Sequence, residues 1–184
     1  MTTAKRILGT LPYRALGAAS LDRAVFEGIE HDSAATRQAL LMVVASSLAA
    51  GFGASGWNGP HPATLIAVTL LALVSWFAWA LLILQIGGRY LAAAETQVSL
   101  AELLRTTGFA ASPGLLQVFG WIPGTTTAVF VLSWVWMLVA MTIAVQQALD
   151  FPSYRRALAV CGLALAAVLA LAFVIAVLFS STTH

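Results

Sequence analysis

The sequence predicts an all-α protein: a polytopic membrane helix bundle with five transmembrane helices, its N-terminus cytoplasmic and its C-terminus outside. Three observations carry that prediction. The 184-residue chain is 60% hydrophobic and only 9% charged, where a soluble domain carries about 25% charged residues. Its charges are separated by apolar runs near the roughly 20 residues that one helix needs to cross a bilayer, and a span in lipid must satisfy its own backbone, as a helix does. The nine basic residues also fall only in segments that a five-span path places on one side.

Residues 1–38 are expected to form a cytoplasmic N-terminal segment, and residues 39–180 the five-helix domain. Leu21, Ala24, Val25 and Ile29 recur at helical spacing among Asp22, Arg23, Glu27 and Glu30, which predicts a short amphipathic helix. Leu11-Pro12 is expected to break it from the residues before. Two roles stay open for it: lying on the membrane surface, or covering the ends of the spans. Glu27, Glu30 and His31 share a face at a spacing a metal can use. Asp32 or Ser33 as a helix cap, with acids near the positive end of the helix dipole, accounts for the same residues without one. The first apolar run begins at Ala39, after Lys5, Arg6, Arg14, Arg23 and Arg37. That order does not fit a cleaved secretory leader, so the first span is expected to be retained.

Span one covers 39–55. Ala45, Ala49 and Gly53 recur at four-residue intervals, and such small residues let helix backbones approach closely in lipid, so they are helix-packing candidates. The loop 56–62 brings Trp57 to an interface. Span two covers 63–86 and ends at Gly87-Gly88. Ser99, with Glu102 three residues on, forms a capping box that starts a helix at Leu100. The uncharged stretch 106–149 is about twice the length of one span, so it holds two, divided by the helix breakers between Gly120 and Gly124. Span three, 106–121, is short and interrupted at Ser112-Pro113-Gly114, where the proline is expected to bend it. Gly108, Pro113, Gly114 and Gln117 are the residues of note in this kinked span. Span four covers 125–149. Span five covers 157–179, and its Gly162, Ala166 and Ala170 repeat the spacing of span one. The single cysteine, Cys161, lies in this apolar run and is read as a small filler.

The basic residues test the count. The inside segments of a five-span path hold Lys5, Arg6, Arg14, Arg23 and Arg37, then Arg89 and Arg105, then Arg155 and Arg156. The outside segments hold none. Omitting span three puts Arg155 and Arg156 outside, against the bias of Lys and Arg toward the cytoplasm.

No Asp, Glu, Lys, Arg or His lies deep in a span, which counts against proton-coupled transport or a path for charged solutes. Gln117 is a candidate to line a polar cavity, with hydrogen bonding between helices as the plainer role. The histidines at 31, 61 and 184 stand at membrane edges, away from where a pigment ligand sits. No Gly-rich phosphate loop, Ser/His/Asp set or pair of catalytic carboxylates can be assembled. The pI of about 9.1 reflects a net charge of only +2 and does not point to nucleic acid.

Three local patterns resemble the bacterial branch of the YIP-domain family, integral membrane relatives of Ypt/Rab-interacting proteins. They are VFEGIEHDSAATRQA at 25–39, LRTTGFAASPGL at 104–115, and the run from Trp136 to Asp150 followed by Arg156-Ala157-Leu158. In relatives an arginine often stands near Gln146, whereas this chain has Gln there and places Arg155 and Arg156 later. The resemblance spans nearly the whole chain and implies five transmembrane helices with a cytoplasmic N-terminus. Eukaryotic relatives are associated with small GTPases and vesicle traffic, which this short N-terminal segment gives no ground to carry over.

Together these features lead to the expectation of a multi-pass protein of a prokaryotic plasma membrane, a scaffold or interaction subunit rather than an enzyme. No cofactor and no metal are expected. Its expected partners are membrane lipids and other membrane proteins or further copies of itself. The alternative is a small transporter or channel subunit for a neutral or lipid-like solute.

Overall fold

The computed structural model describes residues 3–55, 59, 61–90 and 99–181, with side chains described for 10–55, 59, 61–88 and 99–170. Among these residues there are seven α-helices and no strand. They are α1 (Thr3–Ala19), α2 (Arg23–His31), α3 (Ala35–Ser55), α4 (Pro62–Gln85), α5 (Leu100–Phe109), α6 (Thr126–Ala148) and α7 (Tyr154–Ser181). A π-helical turn, Ile86–Tyr90, extends α4, and a 3-10 helix, Ser112–Trp121, follows α5. Trp57 lies outside the described residues.

Three helices are long and apolar enough to cross a membrane: Ala35–Ser55, Pro62–Gly88 and Thr126–Ala148. They match the first, second and fourth expected spans to within a few residues. The fifth expected span falls within α7, a helix of 28 residues. The third does not exist as one bent α-helix. The chain there is α up to Phe109 and then 3-10 up to Trp121.

Local chemistry explains several boundaries. Ser99 Oγ accepts from the Glu102 amide, and the Glu102 carboxylate accepts from the Ser99 amide, so the capping box starts α5 where its sequence places it. The turn from α1 to α2 is a Schellman motif. The Asp22 amide donates to the Gly17 carbonyl and the Leu21 amide to the Ala18 carbonyl, with Leu21 left-handed at φ 63°. Asp22 then caps α2 by accepting from the Ala24 amide. The same device ends α6, where Asp150 takes φ 46°. Asp32 accepts from the Ala34 amide just ahead of α3.

One boundary differs from expectation. Pro12 does not break the N-terminal segment, because α1 runs straight through it. Pro12 is exposed, and on the opposite side Leu11, Ala15 and Ala18 pack against the bundle. That packing outweighs one missing backbone bond on the wet side. The resulting α1–α2 hairpin lies on the helices rather than apart from them.

The core has two parts that meet at α5. One joins Ala18, Val25, Phe26 and Ile29 of the hairpin to Ala39 and Met42 of α3, Phe109 of α5 and Ala140 to Ala144 of α6. The other joins Ala80 and Ile83 of α4 and Leu103 of α5 to Val145 and Ala148 of α6, Leu149 just after it, and Ala157, Val160, Cys161 and Ala164 of α7. The first gathers on the second half of α6 under the hairpin, and the second around the end of α6 and the start of α7. Away from that end α4 and α6 expose Ile66, Leu70, Leu71, Val131, Leu132 and Trp134, the surface expected of helices that face lipid.

Candidate functional site

The broken segment after α5 is the least regular backbone in the bundle, and it is held on two sides. Pro113 has no amide hydrogen to continue α5, and the chain tightens instead, the Ala111 amide donating to the Gly108 carbonyl and the Gly114 amide to the Ala111 carbonyl. Ser46 Oγ of α3 donates to the same Ala111 carbonyl at 2.8 Å. A 3-10 helix of ten residues is far longer than the three or four that are usual, so its neighbours must sustain it. Along one side lies α3. A Cβ added to Gly53 would fall on the carbonyl oxygen of Gln117, and one added to Gly114 would lie 3.2 Å from Ser46 Cβ and 3.0 Å from Met137 Sδ. At the far end Thr126 Oγ1 donates to the Gly120 carbonyl at 2.6 Å, and Thr125 Oγ1 to that of Ile122 at 2.8 Å.

The four residues singled out in this segment are all buried. Gly108 touches α3 directly: an added Cβ would stand 2.7 Å from Ala39 Cβ and 3.1 Å from the Trp76 ring. Gln117 is 4% exposed, with its main chain against Gly53. A groove of about 320 Å³ between α1, the 3-10 helix and α6 is lined by Leu16, Ser112, Pro113, Leu116 and Trp136, and not by Gln117. The indole N–H of Trp136 donates to the Ala19 carbonyl at 2.7 Å, tying the hairpin to the middle of α6.

The six helix-packing candidates divide. On α3, Ala49 and Gly53 are buried, while Ala45 is only half-buried. The stripe that packs runs Ala39, Met42, Ser46, Ala49, Gly53, alternating steps of three and four rather than four alone. On α7, Gly162, Ala166 and Ala170 are exposed, and a Cβ on Gly162 would meet nothing within 4 Å. The buried side of α7 is Ala157, Val160, Cys161 and Ala164.

At the base of α5 lies a polar junction that the sequence does not announce. Arg105 is buried, and its Nε and Nη2 both donate to the main-chain carbonyl of Glu30, at 2.9 and 2.5 Å. A cation thus caps the last turn of α2, where carbonyls are left over and the helix dipole is negative. Glu30 is 8% exposed, and its buried Oε2 has no hydrogen-bond partner among the described residues. Burial, and then the charge of Asp150, push its pKa up to about 7; Glu102 adds to this, and His31 and Arg105 oppose it. Beside it Arg14 pairs with Asp32 at 2.5 Å and donates to Gln38 Oε1 at 2.7 Å. Glu27 and His31 are exposed, and His31 Nδ1 lies 3.0 Å from the Glu27 carbonyl. No group of three His, Cys, Asp or Glu placed to hold a metal occurs among the described residues. Phe26, next to Val25 and three before Ile29, is the signal in the sequence that α2 buries a full apolar stripe.

The family model of the Yip1 domain matches residues 21–176. No curated protein and no solved structure matches the chain. The match takes in α2 and the helices after it up to residue 176 of α7, so the docked helix of the hairpin lies inside the family's extent.

Proposed function

Because the chain belongs to the Yip1-domain family, a family of membrane proteins built on apolar helices, we propose that it acts as a non-enzymatic scaffold or interaction subunit of a plasma membrane. In this reading it crosses the membrane five times, with the N-terminus cytoplasmic and the C-terminus outside. The third crossing is made by the end of α5 beyond Arg105 together with the 3-10 helix. The four α-helical residues 106–109 rise about 6 Å at roughly 1.5 Å each and the ten of the 3-10 helix about 20 Å at roughly 2.0 Å each, close to the roughly 30 Å hydrocarbon core. The irregular backbone is tolerated because protein covers it on the α3 and α6 sides.

The observation that carries the interaction role is the small-residue face of α7. Gly162, Ala166 and Ala170 offer close backbone approach and are covered by nothing among the described residues. Partners are then other membrane proteins or further copies of this chain. Mild-detergent pulldown with mass spectrometry, run on wild type and on Gly162→Leu/Ala166→Leu, tests it. The expected result is loss of at least one complex in the variant. Complexes that all survive, together with solute flux above that of empty liposomes, would instead favour a transporter subunit. A reporter fused at the C-terminus tests the topology and is expected to report outside.

A further inference from the structure

The α1–α2 hairpin rests on the bundle with a buried carboxyl that no ion pair or hydrogen bond among the described residues neutralises at Oε2. Glu30 sits at the end of α2, nine-tenths out of water, with Oε2 unpartnered. The cation beside it does not serve it, because both donating nitrogens of Arg105 go to Glu30's own main-chain oxygen. The Arg105 guanidinium also stands 4.0 Å from the Glu102 carboxylate. The other charges that face Glu30 are Glu102 from α5 and Asp150 from the α6–α7 turn, both negative, with His31 on its own helix. Glu27, also on α2, is exposed, and Arg14 of α1 is held by Asp32 and Gln38. An ionised carboxylate in that position would be buried, unpaired and repelled.

We propose that the hairpin is a proton-held latch: it stays docked while the Glu30 carboxyl is neutral, and ionisation of that carboxyl releases it. The link between α2 and α3 suits a hinge, since Asp32 is extended at φ −98°, ψ 104° and only Ser33 and Ala34 intervene before Ala35. Released into water, Glu30 regains an ordinary carboxylate. The stripe Val25, Phe26 and Ile29 leaves the core and lies at the lipid interface, with Arg23 and Glu27 toward water, as an amphipathic helix does. Covering the bundle and lying on the membrane are then two states of one segment.

The sign follows from linkage. The docked state holds the proton up to about pH 7, and the released state loses it near 4.5. Docking is therefore strongest below pH 4.5, weakens as pH rises to about 7, and changes no further above that. The docking equilibrium falls steadily across this window, by up to about tenfold for each pH unit.

The test uses the full chain in lipid nanodiscs, with Cys161→Ser removing the one native thiol. Spin labels go on Ser20→Cys at the hairpin tip and on Phe119→Cys of the 3-10 helix, both exposed positions. Distances are read from pH 4.5 to 8. The expected result is one short distance at pH 4.5 and a longer one that grows toward pH 7 and then levels. Glu30→Gln, which stays neutral, should keep the short distance throughout. Asp150→Asn, which removes a facing charge and tolerates the left-handed backbone, should show less of the longer distance than wild type above pH 7. An unchanged wild-type distance across the range, or a Glu30→Gln protein that opens with pH as wild type does, would overturn the latch.

Discussion

Two helices of this protein carry the same motif and use it differently. On α3 small residues meet a neighbour's main chain so closely that the Gly53 position has no room for a Cβ beside Gln117. On α7 the stripe Gly162, Ala166, Ala170 is open, and Gly162 has nothing within 4 Å of where a Cβ would be. The α3 stripe has its partner in the chain, in the form of an irregular segment that needs support. The α7 stripe has none among the described residues, because the helix buries Ala157, Val160, Cys161 and Ala164 on a different side. Small residues at helical spacing therefore say that a backbone can approach, and leave open whether the approaching backbone is internal.

Substitutions can sharpen that contrast. The largest effect is expected at Gly53. Gly53→Leu drives a side chain into the backbone of the 3-10 helix, which cannot give way without losing its packing. Overpacking costs typically 1–3 kcal/mol, and here the upper end, about 3 kcal/mol or more, is expected as a drop in thermal stability of the detergent-solubilised protein.

Next comes the junction below. Glu30 carries a raised pKa, so its contribution to stability is whole below pH 4.5 and is lost as pH rises toward about 7. Glu30→Gln should therefore be more stable than wild type at pH 7.5, by on the order of 2 kcal/mol, and equal to it at pH 4.5. Thermal melts of both proteins at the two pH values measure the difference. Equal stability at both would remove the strain ascribed to this carboxyl.

Gly108→Ala tests the contact between α5 and α3 on a smaller scale. The new methyl would lie 2.7 Å from Ala39 Cβ, and a loss of about 1–2 kcal/mol is expected. The smallest effect on the fold belongs to α7, where Gly162→Leu should leave thermal stability within about 0.5 kcal/mol of wild type.

The apolar helices were the legible part of the sequence. Uninterrupted hydrophobic runs locate α3, α4, α6 and α7, because length and the absence of charge are properties of the chain alone. Ser99 and Glu102 likewise place the start of α5, since a capping box is local. The 3-10 helix was not legible. Pro113 and Gly114 say that an α-helix stops, whereas what continues depends on α3 and on bonds such as Ser46 to Ala111. The phase of α3 was hidden by its composition, with Ala45 as small as Ala49 yet turned aside from the packed stripe. Pro12 misled for a related reason, since packing by Leu11, Ala15 and Ala18 sustains a helix that local propensity would end. The junction was hidden because Glu30 and Arg105 read as ordinary solvated charges until the hairpin folds over them.

The contrast between the two stripes can be measured directly in native membranes. A single thiol is placed at Gly162→Cys or at Ala49→Cys, each with Cys161→Ser, and treated with a lipid-permeable thiol cross-linker. The α7 position should join the protein to a second chain, while the α3 position should leave it monomeric. Cross-linking from α3 alone, or from neither position, would contradict the assignment of α7 as the face that meets a partner.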